Sequence, residues 1–133
     1  MKPTAEQALK EIERVVGAEH LLADTATLSR YSVNMLATGD ILPAAVVRPA
    51  STEELQQVLR IASTYKTPVW ALSGGQNRGY GMACASRPGT LIIDLGRMNR
   101  ILEVNVDLAY AMVEPRVTFA QLHRHLRDND IPL

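Results

Sequence analysis

Few residues are present from which a disulfide framework or a membrane anchor could be built. The 133-residue chain has one cysteine, Cys84, which excludes an intrachain disulfide and favours a reducing compartment. No apolar run approaches the roughly 20 residues that a membrane-spanning helix needs. The polar start, Met1 to Glu6, does not have the apolar stretch of a signal peptide. We therefore expect a soluble, cytoplasmic protein that does not bind membranes.

The chain also has no excess of either charge and no cluster of catalytic side chains. Lysine and arginine total 14, as do aspartate and glutamate, and neither sign forms a long block. A sequence-independent nucleic-acid binder needs a basic face, so this class is not expected. His123 and His125 lie two apart on a predicted helix and point to different faces, and His20 has no neighbouring ligand. No metal site is predicted.

The most informative segment is a glycine loop that directly follows an apolar run, Pro68 to Leu72. Four of its eight positions are glycine, and backbone N–H groups in such a loop can converge on one anion. The loop does not end in the Lys-Ser/Thr pair of an ATP-binding P-loop, and no helix-forming run follows it. It predicts a cradle for a phosphate or diphosphate, and an ordinary turn is the alternative. The four glycines are Gly74, Gly75, Gly79 and Gly81.

Hydrophobic spacing and capping residues predict four helices. Three of them begin with a capping box, a Ser or Thr followed three residues later by Glu or Gln, and the other begins after Asp24. The boxes are Thr4 with Gln7, Ser51 with Glu54, and Thr118 with Gln121. The helix after Ser51 is expected to bury a stripe of apolar residues, namely Leu55, Val58, Leu59, Ala62 and Tyr65. Met82, Met98 and Met112 are expected to fill the core.

Short apolar runs predict five strands. Residues 44–48 and 68–72 flank the second capped helix, so they are expected to form a parallel strand pair joined by a crossover helix. Residues 90–95 are apolar enough to be buried on both faces, and residues 101–105 and 109–114 form a strand pair around a turn. The expected fold class is α+β, with a small, mainly parallel sheet flanked by helices. Open α/β sheets bind ligands at the carboxyl ends of their strands, where the glycine loop lies.

Several short motifs follow one another in a specific order. They are Arg48 to Leu55, the loop Ser73 to Gly81, Leu91 to Leu95 with Met98 to Ile101, Val104-Asn105, Tyr110, and Val113 to Pro115. This set resembles the FAD-binding domain of the vanillyl-alcohol oxidase and p-cresol methylhydroxylase flavoproteins. The resemblance implies the first lobe of a PCMH-type domain over residues 44–133, incomplete at its C-terminus, after a helical lead-in over residues 1–43. The Asn-x-Gly-Tyr-Gly form of the loop points to the branch that oxidises para-substituted phenols.

The same resemblance implies roles for individual residues. The backbone of the glycine loop would face the FAD diphosphate, and a second segment would skirt the cofactor. Tyr80 matches a tyrosine that holds the substrate phenolate near the flavin, where a hydroxyl donor favours hydride loss to flavin N5. The implied cofactor-binding residues are Ser73, Gly74, Gly75, Gln76, Asn77, Arg78 and Gly79 in the loop, and Glu114, Pro115 and Val117 in the second segment.

Two residues depart from the pattern of the family. Gln76 stands where some members carry the histidine that tethers FAD, which excludes a covalent link at this position. Arg116 stands where the family usually has glycine in a Pro-Gly-Val sequence. An arginine there is expected to weaken or distort the site through its bulk and charge, and a salt bridge to a phosphate is the alternative.

Two functions are compatible with these observations. The first is an FAD-binding fragment of a flavin-dependent oxidoreductase acting on 4-substituted phenols such as 4-cresol, vanillyl alcohol or 4-hydroxybenzyl alcohol, with oxygen or a cytochrome as electron acceptor. The fragment alone is not expected to be active, because hydride transfer needs a closed, dry pocket. The alternative is a stand-alone α+β module without flavin that self-associates into a homo-oligomer or binds a partner.

Overall fold

Four α-helices and six β-strands make up the regular structure of residues 5–33, 39–75 and 83–132, which are the residues described by this computed structural model. The helices are α1 (Ala5–Val16), α2 (Thr25–Arg30), α3 (Thr52–Thr64) and α4 (Phe119–Asp128), with a short 3-10 turn at Ala18–His20. The strands are β1 (Leu21–Leu22), β2 (Ala45–Val47), β3 (Val69–Leu72), β4 (Leu91–Asp94), β5 (Ile101–Asn105) and β6 (Tyr110–Val113). The predicted α+β class is confirmed.

The main sheet has the strand order β1-β2-β4-β3. Strands β2 and β3 both run parallel to β4, and β1 is antiparallel to β2 at one edge. The expectation that the two strands flanking α3 pair with each other is wrong, because β4 lies between them. All four residues of β4 are buried, whereas Val69 of β3 is 41% exposed. The most apolar strand therefore takes the central place, where both of its faces are covered.

Each face of the sheet has its own apolar core, because side chains alternate along a strand. On one face, β2 and β4 pack against α1 and α3; the buried members are Ile12, Val16, Ala45, Val47, Val58, Leu91 and Ile93. On the other face, α2 and the segment after the glycine loop cover the sheet. This second cluster consists of Val46, Ala85 and Ile92, with Leu22, Leu28, Tyr31, Trp70 and Leu72 packed against it.

The caps of the helices follow the sequence signals closely. The Asp24 side chain accepts a hydrogen bond from Thr27 N at 2.9 Å, and Thr118 with Gln121 forms a complete capping box. Of the two hydrogen bonds of the predicted Ser51 capping box, only one forms. Ser51 accepts from Glu54 N, but the Glu54 carboxylate accepts from Ala50 N at 2.7 Å instead of from Ser51 N. The Thr4 box lies outside the described residues.

Two residues expected in the core are exposed. Leu59 is 41% exposed, because the face of α3 toward the sheet centres on Val58 and Ala62. Met112 is 51% exposed, because β6 belongs to a separate two-stranded sheet with β5. Met98 is buried as expected, Cys84 is a buried free thiol, and Met82 lies outside the described residues.

The β5–β6 ribbon joins the rest of the fold through its backbone. Glu114 N donates to Arg100 O, and Arg116 N donates to Met98 O, both at 2.9 Å. Helix α4 follows and has no buried residue. None of the described helices has the length and apolar character to cross a membrane. The boundary predicted between residues 43 and 44 stays a prediction; across it, α1 packs on α3 and β1 pairs with β2.

Candidate functional site

A cleft of about 290 Å³ lies where the carboxyl ends of the parallel strands meet. Arg48 directly follows β2, the segment from Ser73 to Gly75 directly follows β3, and Asp94 ends β4. Three chain segments that are distant in sequence therefore face one space, as is usual for ligand sites in open α/β sheets. The full lining is Tyr31, Arg48, Leu72, Ser73, Gly74, Gly75, Ala83, Asp94, Gly96 and Arg116.

The start of the glycine loop presents bare backbone to this cleft. Gly75 has φ +63°, a conformation that favours glycine, and a Cβ there would lie 3.2 Å from Ala83 Cβ. Within the described part of the chain, no acceptor is bound by the N–H groups of Gly74 and Gly75. Such free amides beside a strand end suit the oxygens of a phosphate. This part of the predicted loop therefore fits a diphosphate group.

A buried carboxylate, that of Asp94, also lines the cleft. The Tyr31 hydroxyl donates to Asp94 Oδ2 at 2.6 Å, and Gly96 N donates to Oδ1 at 2.8 Å. Arg48 Nε lies 3.6 Å from Oδ2 and is buried without a hydrogen-bond partner, so this pair is electrostatic. Burial, together with the hydrogen bond to Asp94, raises the pKa of Tyr31 to about 12. The phenol is thus neutral at pH 7 and holds Asp94 in place.

A second ion pair positions the turn after β6. Glu114 is buried and accepts from Arg100 N at 2.7 Å, Nε at 3.0 Å and an Nη at 2.6 Å. These hydrogen bonds to the Arg100 side chain and backbone lower the pKa of the Glu114 carboxyl. Val117 N then donates to Glu114 O at 3.1 Å. The turn that carries Arg116 is therefore fixed at both ends.

The guanidinium of Arg116 lies over the first glycine of the loop. Its Nη1 is 3.5 Å from the point where a Cβ on Gly74 would stand. Asp94 is paired with Arg48 and Glu114 with Arg100, whereas Arg116 forms no ion pair with any carboxylate in the described ranges. The described lining of the cleft therefore has one uncompensated positive charge, that of Arg116, next to free backbone amides. The described residues contain no group of three or more His, Cys, Asp or Glu side chains that could hold a metal ion.

Only part of the predicted site can be placed. Ser73, Gly74 and Gly75 line the cleft, whereas Gln76, Asn77, Arg78, Gly79 and Tyr80 lie outside the described residues. Glu114 and Pro115 belong to the turn that carries Arg116. The Val117 side chain lines a separate apolar groove with Val113, Phe119 and Leu122. The cofactor and substrate roles of these residues stay predictions.

Three polar residues of the cleft had no part in the predicted site: Tyr31, Arg48 and Asp94. For two of them, the sequence contains a feature from which their place in the site could have been predicted. Arg48 directly follows the apolar strand β2, and Asp94 is the last residue of β4, which runs parallel to β2. The carboxyl ends of parallel strands lie at the same edge of a sheet, where ligands bind, so both residues could have been placed at the site. Tyr31 reaches Asp94 across the fold and has no comparable local signal.

The fold and the cleft define a class of protein that binds an anionic cofactor at the ends of parallel strands, and comparison with known proteins makes the class specific. Residues 43–131 match the family model described as "FAD binding domain". The chain belongs to this family, in its PCMH-type form. FAD is the cofactor of the family, as the resemblance implied.

The proteins to which this chain is similar include a dehydrogenase, a decarboxylase and an oxidase. The chain is 32% identical over 129 residues to the 4-cresol dehydrogenase [hydroxylating] flavoprotein subunit of Pseudomonas putida, covering 96% of this chain and 25% of that one. It is 36% identical over 123 residues to 1'-carboxy-chondrochloren decarboxylase of Chondromyces crocatus, covering 92% and 23%. The solved 4-ethylphenol oxidase from Gulosibacter chungangensis, in its isoeugenol complex, is 39% identical with a TM-score of 0.86, covering 95% and 25%. The chain thus spans about a quarter of the length of these relatives.

Proposed function

We propose that this chain forms the diphosphate-binding part of an FAD site in a flavin-dependent oxidoreductase acting on 4-substituted phenols. The observation that carries the proposal is the cleft at the strand ends, where the free amides of Gly74 and Gly75 lie beside the unpaired charge of Arg116. Free backbone N–H groups in such a loop suit the oxygens of a diphosphate, and a nearby positive charge adds to the attraction. Membership of the FAD binding domain family supports FAD as the source of this diphosphate.

In this proposal the chain binds and orients the cofactor. Ser73, Gly74 and Gly75 hold the diphosphate together with the residues from Gln76 to Gly79. The turn from Glu114 to Val117 passes along the cofactor, and the Glu114–Arg100 pair fixes its position. The bound flavin supplies the acceptor for a hydride. Tyr80 donates a hydrogen bond to the phenolate oxygen of the substrate and so holds the phenol as its anion.

The phenolic substrate is supported by the names of two relatives, a 4-cresol dehydrogenase and a 4-ethylphenol oxidase. Oxygen and a cytochrome are both proposed electron acceptors, since the two relatives differ in being a dehydrogenase and an oxidase. A cleft of about 290 Å³ has room for only part of a dinucleotide and a substrate. We therefore expect the 133 residues alone to bind FAD without oxidising a phenol.

The test is an FAD titration of the purified chain, followed by absorption between 300 and 500 nm before and after desalting. Retained flavin bands are the expected result. Gly75→Ala is expected to weaken FAD binding about tenfold, because an alanine there is strained and moves donors away from the phosphate.

The matched control is Gly89→Ala. Gly89 also has a positive φ, +75°, but lies in open space outside the cleft. The control carries the same kind of backbone strain and is expected to keep the affinity of the unmodified chain. A colourless protein after desalting, or an equal loss in both variants, would contradict the proposed site.

A second candidate function, self-association without flavin, has its own supporting observation. Large apolar side chains are exposed on the β5–β6 ribbon and on α4, with Leu102 at 52%, Met112 at 51% and Phe119 at 92%. Exposed apolar surface of this kind promotes association. Sedimentation equilibrium distinguishes the two candidates. A concentration-dependent dimer that remains colourless with excess FAD supports the second, and a flavin-bearing monomer rejects it.

A further inference from the structure

We infer that Arg116 contacts the diphosphate of the cofactor and contributes positive charge that holds it, so that this residue raises the affinity of the site for the cofactor. The inference rests on the proposed FAD site and assigns within it a residue that departs from the Pro-Gly-Val pattern. An arginine at this turn was expected to weaken or distort the site, with a salt bridge to a phosphate as the alternative. Position, charge and the neighbouring donors all favour that alternative.

The position of Arg116 is compatible with a bound ligand. The turn is held by the hydrogen bond from Arg116 N to Met98 O and by Glu114, so the side chain projects from a fixed backbone. Its guanidinium occupies the space beside Gly74 that a larger residue there would fill. The absence of a side chain at Gly74 thus leaves room for the guanidinium of Arg116.

Arg116 is the arginine of the described lining that has no carboxylate partner. Arg48 lies 3.6 Å from Asp94, and Arg100 binds Glu114 at 2.6 Å. Each of these arginines is neutralised by its own carboxylate. Arg116 lines the same cleft, and no described carboxylate forms an ion pair with it. Counted over the described residues, the lining of the cleft has one net positive charge, which belongs to Arg116.

The donors near Arg116 match a phosphate. The N–H groups of Gly74 and Gly75 are free of acceptors among the described residues and belong to the same wall as the guanidinium. A guanidinium offers two parallel N–H donors to a phosphate, and such charge-assisted bonds are about twice as strong as neutral ones. Backbone amides and Arg116 can therefore bind one anion together.

The experiment measures binding of FAD, ADP, riboflavin and inorganic pyrophosphate by calorimetry, with Arg116→Gln compared with the unmodified chain. Arg124→Gln is the control, because Arg124 lies on the exposed face of α4 away from the cleft. We expect Arg116→Gln to weaken FAD, ADP and pyrophosphate about tenfold each, the loss of one charge-assisted interaction. Riboflavin, which has no phosphate, should bind both proteins equally.

Salt provides a second readout. The affinity of the unmodified chain for ADP should fall as sodium chloride rises from 50 to 500 mM, and Arg116→Gln should flatten this dependence. Far-UV circular dichroism verifies that each variant is folded, and Arg116→Lys should recover part of the lost affinity because it restores the charge without the planar pair of donors.

The outcomes separate this inference from the proposed function. If pyrophosphate and ADP bind through Arg116 but FAD is not retained, the flavin function fails, and only the role of Arg116 as a diphosphate-binding residue stands. If FAD binds equally well to Arg116→Gln, the inference fails and the proposed function stands. A loss confined to riboflavin would place Arg116 at the flavin ring and overturn the assignment. Failure of all four ligands to bind the unmodified chain overturns both.

Discussion

Tyr31 is a side chain of the cleft whose ionisation is coupled to folding. Its folded pKa of about 12 lies above the ordinary value near 10. The neutral phenol therefore contributes its full stabilisation below about pH 10, and the contribution is lost as the pH rises through 12. Tyr31→Phe is expected to lower the free energy of unfolding by about 1–2 kcal/mol at pH 7, because a hydrogen bond to a carboxylate is lost.

Urea denaturation at pH 7, 9, 10 and 11 checks this prediction. The difference between Tyr31→Phe and the unmodified protein should be constant up to pH 9 and shrink toward pH 11. Tyr110→Phe is the control, since the Tyr110 hydroxyl binds Glu103 at an exposed site and should contribute less. A Tyr31 difference that does not change with pH would show that the hydrogen bond to Asp94 does not couple to folding.

The contribution of Glu114 to stability is predicted to depend on pH in the acidic range, whereas that of Tyr31 depends on pH in the alkaline range. Hydrogen bonds from Arg100 lower the pKa of its carboxyl in the folded state. Its stabilising contribution is therefore present above the unfolded value near 4.3 and is lost as the pH falls through the lower folded pKa. Glu114→Gln should unfold at lower urea than the unmodified protein at pH 7, and the two midpoints should converge as the pH falls through the lowered pKa of the folded carboxyl. Midpoints that stay equally far apart would argue against the ion pair as the cause.

Helix starts were predictable because their signals are local. A serine, threonine or aspartate accepts from a backbone N–H three residues along, and the caps at Asp24 and Thr118 form as expected. The Ser51 box was predicted only in part, since Glu54 has two possible backbone donors and takes Ala50. The path of the chain before the helix decides whether the carboxylate of Glu54 accepts from the N–H of Ala50 or of Ser51. Residue spacing alone does not specify that path.

The two caps that form on α3 and α4 are expected to have different effects on stability. Ser51 begins α3, which is part of the main core through Val58, whereas α4 buries no residue. Ser51→Ala should lower the global free energy of unfolding by about 1 kcal/mol. Thr118→Ala should leave the urea midpoint nearly unchanged and increase amide hydrogen exchange within α4, because that helix can open locally. Equal shifts of the urea midpoint in both variants would contradict this distinction.

The arrangement of the protein as a whole was less predictable than its elements. Every described strand was expected from an apolar run except the two-residue β1, and the family followed from motif order. The central place of β4 depends on competition between strands for burial, which no local window contains. In the same way, the contacts of Arg116 with Gly74 and of Tyr31 with Asp94 join parts of the chain that are distant in sequence, so they depend on the assembled sheet and ribbon. The glycine loop was therefore identified, but the charged walls of the cleft were not.

The two faces of the sheet should be distinguishable by mutation, since adjacent residues of β4 belong to different cores. Ile93 packs toward α1 and α3, whereas Ile92 packs in the cluster that contains Tyr31 and Leu72 of the cleft. Ile92→Val and Ile93→Val each remove one buried methyl group and should each lower the free energy of unfolding by about 1 kcal/mol. Only Ile92→Val should also weaken ADP binding, by about threefold, because looser packing beneath a site loosens the groups that line it. Denaturation and ADP calorimetry on the same preparations test both statements. Equal affinities in the two variants would mean that the cleft does not depend on the core beneath it, and that the backbone of the loop is held by the strand ends alone.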